Sequence, residues 1–125
     1  MTPVDVMQPL ASRRKLNLVY ASSCDIDDLQ PGTALILDQG NTEGWVQAAC
    51  ERATTERQIL CLVPARTNTG YWHHTILRRA ESITFVRGRL RFPGHDRQSP
   101  TPSAIVRFGG QRQGVPWTST TKMFF

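Results

Sequence analysis

Apolar and polar positions fall in blocks along the middle of this chain, and the period changes from block to block. Ala34-Leu35-Ile36-Leu37-Asp38 is a short apolar run after the turn signal Pro31-Gly32, and it reads as a buried strand. Asn41 or Thr42 is placed to cap a helix in which Val46, Ala49, Cys50 and Ala53 share one apolar face. Ile59-Leu60-Cys61-Leu62-Val63-Pro64 is a second buried strand, ended by its proline. Thr67 or Thr69 can cap a second helix, from about Gly70 to Ala80. Ile83-Thr84-Phe85-Val86 reads as a third strand. Arg87-Gly88-Arg89-Leu90-Arg91-Phe92 alternates charge with small or apolar residues, as a short strand or an extended arm would. The prolines and glycine of 93–103 make a loop, and Ala104-Ile105-Val106-Arg107-Phe108 is a last strand closed by Gly109-Gly110.

Strand–helix–strand–helix–strand order predicts an α/β fold with parallel strands, because parallel neighbours need crossover helices. The final pair has no helical connection and is expected to be antiparallel. From Gln111 onward the chain is poor in apolar residues until Met123-Phe124-Phe125, an end suited to docking on the domain or a partner.

Length fits one domain, expected over 1–110 with a tail over 111–125, since 125 residues are enough for a single core and too few for two. No apolar run approaches the roughly 18 residues that a membrane span needs. The N-terminus lacks a basic region followed by an apolar run, so no secretory signal is expected. The net charge of +5 is unevenly laid out. Residues 1–65 carry five basic and eight acidic side chains, whereas 66–112 carry nine arginines against Glu81 and Asp96. Arginine forks grip phosphate bidentately, so this half points to nucleic acid or, at its plainest, to a solvated basic face. Cys24, Cys50 and Cys61 show no CxxC spacing, and His73, His74 and His95 complete no zinc pattern. Free thiols suit a reducing compartment.

Four motifs then follow one another at tight spacing. They are Leu62-Val63-Pro64-Ala65-Arg66-Thr67-Asn68-Thr69; Trp72-His73; Phe85-Val86-Arg87-Gly88-Arg89-Leu90-Arg91-Phe92; and Pro102-Ser103-Ala104-Ile105-Val106. This run resembles the phage-type DNA N-6-adenine methyltransferase (Dam-like) family, whose second half carries a PARTDT…WxH…RGRLxF…PSxxV signature. The resemblance covers about Ala34 to Phe108, and Thr2-Pro3 and Leu18-Val19-Tyr20-Ala21 look like compressed relics of the family's N-terminal segment. It implies a truncated Rossmann-like methyltransferase sheet of about five strands with two main helices, the last strands antiparallel.

It also implies S-adenosylmethionine chemistry on a flipped adenine where the catalytic residues are kept. In the family, the strand before the first helix ends in Asn-Pro-Pro-Tyr or Asp-Pro-Pro-Tyr. The acid or amide and a proline carbonyl accept hydrogen bonds from the adenine amine, and the aromatic ring stacks on the base. Here that place reads Asp38-Gln39-Gly40-Asn41. Asp38 keeps an acceptor, both prolines are gone, and Asn41 stands where the ring would be. Glycine loosens a loop whose task is fixed geometry. The family's acidic and small cofactor-seating residues after the first strand have no match in Leu18-Val19-Tyr20-Ala21-Ser22-Ser23, although Asp25, Asp27 and Asp28 follow.

The resulting expectation is a catalytically degenerate, methyltransferase-like phage protein without a cofactor. It would bind nucleic acid or a host nucleoprotein in the bacterial cytoplasm, as an inhibitor of restriction or CRISPR defence. The binding set is Arg66, Arg87, Arg89, Arg91 and Arg97. Arg66 serves either an anion at a helix N-terminus or a pairing with Asp38 or a backbone carbonyl. Arg87, Arg89 and Arg91 serve either phosphate or the protection of a strand edge. Tyr71 and Trp72 are expected in the core, and His73 and His74 on the helix surface. A homodimer would cover apolar area that a shortened sheet exposes. The alternative is an active S-adenosylmethionine-dependent adenine methyltransferase with an unusual loop.

Overall fold

A computed structural model describes residues 1–109. The chain begins with a helix that was not among the expected elements, α1 (Pro3–Arg14), although Val4, Met7 and Ala11 fall at helical spacing. Thr2 and Asp5 form a capping box: the Asp5 amide donates to Thr2 Oγ1 at 3.4 Å and the Thr2 amide donates to the Asp5 carboxylate at 2.8 Å. Pro3 occupies the first turn, where its missing N–H costs nothing. Pro9 lies inside the helix and, read along the sequence, argues against it. Met7 and Ala11, one turn apart, are fully buried and hold α1 to the sheet.

Next come β1 (Asn17–Tyr20), two 3₁₀ turns at Ala21–Ser23 and Ile26–Asp28, and β2 (Thr33–Ile36). The helix α2 (Thr42–Arg52) leads to β3 (Ile59–Pro64). A third helix, α3, covers 70–79 and contains a π-helical stretch, Trp72–Ile76, before the α-helical Leu77–Arg79. The strands β4 (Ser82–Phe85) and β5 (Ser103–Phe108) complete the described chain.

The strands form one sheet in the order β1-β2-β3-β5-β4. β1, β2 and β3 are parallel, while β5 runs antiparallel to both β3 and β4. This is the expected Rossmann-like α/β sheet with antiparallel final strands. Both faces are covered, so β2 and β3 are apolar at nearly every position. Leu35, Cys61, Val63 and Val106 meet α2 and α3 through Val46, Ala49, Trp72 and Ile76. Ala34, Ile36, Leu60, Leu62 and Ile105 point the other way, to Met7, Ala11 and Leu90.

Arg87 to Phe92 is not a strand. Gly88 at φ +79° interrupts the extension, and the segment is an irregular arm. Leu90 is buried against α1 and Phe92 is half-buried, as the alternation predicts. The tail over 111–125 lies outside the described residues, as does the docking expected of its apolar end.

Candidate functional site: a cleft at the C-terminal edge of the sheet

Chain direction sets where chemistry can gather. β1, β2 and β3 all end on one edge of the sheet, and β5 starts there. In open α/β sheets this edge is where loops leave room for ligands. A cleft of about 480 Å³ lies there, lined by the loop after β2, the loop after β3 and the arm that leads into β5.

The loop after β2 carries Asp38-Gln39-Gly40-Asn41. Asp38 accepts two hydrogen bonds from Ser22, from its amide at 2.9 Å and its hydroxyl at 2.5 Å. Each carboxylate oxygen is thereby engaged, and the side chain works as a strut between the ends of β1 and β2. Burial, with the Asp38 charge second, pushes the Tyr20 hydroxyl above its ordinary range. Gln39 and Gly40 are exposed, and a side chain on Gly40 would meet nothing within 4 Å. Asn41 stands before α2 with φ +66° and makes no side-chain cap. Its amide group lies over Gly44 instead, where a Cβ would come within 2.6 Å of Asn41 Oδ1. Neither Asn41 nor Thr42 caps α2 in the expected way; the Asn41 side chain has folded over the first turn.

The loop after β3 is held by its own backbone. The Arg66 carbonyl accepts from the Thr69 amide at 3.0 Å and the Thr69 hydroxyl at 2.7 Å. That bonding makes a turn rather than a cap. It leaves the Arg66 side chain exposed at the cleft. The alternative pairing of Arg66 with Asp38 is not formed; the Asp38 carboxylate bonds to Ser22 instead. Trp72 is fully buried, and its indole N–H donates to the Pro64 carbonyl at 3.1 Å, tying α3 to the end of β3. Tyr71 is half-buried on the cleft wall, and burial pushes its hydroxyl up. Of the two aromatic residues expected in the core, Trp72 is there and Tyr71 is only partly so. His73 is half-buried, with its ring Nε2 2.7 Å from the Thr67 carbonyl; His74 is exposed.

The arm closes the third side. The Arg91 amide donates to the Met1 carbonyl at 3.0 Å, and the Ser99 amide donates to the Leu90 carbonyl at 2.6 Å. Phe92 and Ser99 then line both the cleft and a second cavity of about 590 Å³ within the arm, which also holds Arg97. Arg87, Arg89, Arg91 and Arg97 are all exposed. Among the described residues, none of these four nor Arg66 forms a salt bridge with a carboxylate.

The arginine-rich half divides. Arg66 and the arm belong to the cleft edge. Arg78 and Arg79 end α3 just before β4 starts, so they belong to the opposite edge, and Arg107 is paired with Glu81 there. Burial, and second the charge of Arg14, lower the Arg107 guanidinium from its usual range. Sequence reasoning did not find Ser22, the partner of Asp38, because the two are joined only by the parallel pairing of β1 with β2. Among the described residues no group of three or more His, Cys, Asp or Glu converges as metal ligands would, and no helix is long and apolar enough to cross a membrane. No family model, curated protein or solved structure matches this chain.

Proposed function

We propose that this chain is a binding protein on a methyltransferase-like sheet. Its cleft edge holds the phosphate backbone of a nucleic acid, free or within a nucleoprotein, and transfers no methyl group. The observation that carries this reading is the exposure of five arginines on the cleft edge and its arm, Arg66 lining the cleft, Arg97 the adjoining cavity, and Arg87, Arg89 and Arg91 on the arm, none with a carboxylate partner among the described residues. Exposed, unpaired guanidinium groups keep their bidentate donors for phosphate. The bonding of both Asp38 oxygens to Ser22 supports the absence of methyl transfer, because it turns the carboxylate toward the end of β1 and leaves fewer acceptor sites for an adenine amine. The left-handed backbone at Asn41 supports it too, as it disfavours the aromatic residue that would stack on the base. The stretch after β1 offers no acidic residue at its start and no glycine to seat S-adenosylmethionine in the family's manner. In the setting that the resemblance implies, the target is a host defence nucleoprotein in the bacterial cytoplasm.

The experiment is a salt titration of DNA binding by wild type and the Arg87→Ala/Arg89→Ala/Arg91→Ala variant. Affinity falls steeply with salt for wild type. The slope of log K against log salt shrinks by about 1 for each arginine that contacts phosphate, alike for all sequences. Absence of any gel shift at low salt overturns the reading. The active methyltransferase alternative rests on the retained Asp38 and requires cofactor affinity; heat on titration with S-adenosylmethionine would favour it.

A further inference from the structure

The edge of the sheet at β1 carries an inference independent of the binding reading. β1 has one described neighbour, β2. Its apolar residues Leu18, Val19 and Tyr20 are each only half-buried, whereas every residue of β2 is buried. Edge strands are normally blunted by charge, proline or a bulge. Asn17-Leu18-Val19-Tyr20 has no charge and no proline, and its pairing with β2 runs without a bulge.

The unpaired backbone groups of this edge form a self-complementary set. The Asn17 amide donates inward, to the Gly32 carbonyl at 2.9 Å. Backbone alternation therefore turns the Leu16 carbonyl, the Leu18 amide, the Leu18 carbonyl and the Tyr20 amide outward. The Tyr20 carbonyl also points outward, but it accepts the Cys24 thiol at 3.6 Å. Placed antiparallel about a two-fold axis at Leu18, two such edges satisfy each other. Leu18 exchanges both bonds with its symmetry mate, and each Tyr20 amide meets the partner's Leu16 carbonyl. No outward group is left over except the one already bonded.

The charges at the two ends of the strand agree with that orientation. Arg13, Arg14 and Lys15 precede β1, and Asp25, Asp27 and Asp28 follow it; all six are exposed. Antiparallel pairing brings the basic end of each strand toward the acidic end of the other. Parallel pairing would set like against like.

We propose that β1 pairs antiparallel with β1 of a second copy of this chain, extending the sheet across a symmetric homodimer. An isologous interface of this kind closes on itself and does not propagate. The experiment measures the mass of the full chain in solution together with two charge-reversed variants, Arg13→Glu/Lys15→Glu and Asp25→Lys/Asp28→Lys. All four positions are exposed, and circular dichroism checks that each variant is folded. Wild type is expected at twice its 14.1 kDa chain mass. Each variant alone is expected to shift toward monomer, and an equimolar mixture of the two to regain the dimer, because opposite charges meet again in the mixed pair. A monomeric wild type, which is the outcome if the chain's own tail covers β1, overturns the proposal. So does a dimer that neither variant weakens, or a mixture that does not recover.

Discussion

Cys61 shows how far a residue's surroundings govern its chemistry. It sits on β3 with its side chain fully buried under α2, and burial pushes its thiol up to about 12. Cys24 and Cys50 are only half-buried, and burial raises each from its ordinary value. The nucleophile is the thiolate, so Cys61 is inert in the folded chain. Native protein treated with iodoacetamide at pH 8 is expected to leave Cys61 unlabelled and to label it fully once urea unfolds the chain. The same shift sets a direction for stability. The folded state keeps this proton up to about pH 12, whereas the unfolded chain releases it in the ordinary thiol range. The contribution is therefore complete at neutral pH and is lost as pH rises through that window. Urea midpoints of wild type and Cys61→Ala, compared at pH 7 and pH 10, read it: the wild type loses more of its midpoint on the alkaline step.

Elements were legible wherever turn chemistry bounded an apolar block. β3 runs from Ile59 to Pro64 as its sequence predicts, because the proline ends it. α1 was legible in part: Val4, Met7, Leu10 and Ala11 keep a helical spacing, but the exposed Pro9 among them reads as a helix breaker and hides it. Its second signal was the capping box at Thr2 and Asp5, a side-chain hydrogen bond. The π-helical stretch in α3 has no sequence signature at all; it is read only from the structure, where Trp72 and Ile76 are both buried. The cap makes a prediction. Backbone and side-chain bonds with Thr2 lower the Asp5 carboxyl from its ordinary value. Removing an N-cap hydroxyl of this kind costs about 0.5–2 kcal/mol. Thr2→Ala is expected to destabilise the chain by that amount in a urea melt. Because the Arg91 amide bonds to the Met1 carbonyl, the loss also reaches the arm. Hydrogen exchange at Arg91 should speed up in the variant, while the Cys61 amide in β3 keeps its protection.

At the scale of the whole molecule, the sequence counted arginines but could not say which edge of the sheet each would reach. That depends on the direction of every strand and helix. Arg66 follows a strand that ends at the cleft edge, and the arm passes over the same edge between β4 and β5. Twelve or so residues after Arg66, Arg78 and Arg79 have been carried by α3 back to the opposite edge, close to the start of β4. Arg107 faces Glu81 near that edge and is spent in an ion pair. The same run of positive charge thus becomes two surfaces, and only one of them borders the cleft. If binding were due to net charge alone, neutralising any two exposed arginines would weaken it equally. The geometry expects otherwise. Arg78→Ala/Arg79→Ala removes two charges from the edge away from the cleft and should leave DNA affinity within about twofold at moderate salt. Arg89→Ala/Arg91→Ala removes two from the arm and should lower affinity by at least tenfold, about 1.4 kcal/mol, and flatten the salt slope by about 2. Fluorescence anisotropy with one labelled oligonucleotide at a series of salt concentrations measures both. Equal losses in the two variants would make the basic charge a diffuse attraction and leave the cleft edge without a special role.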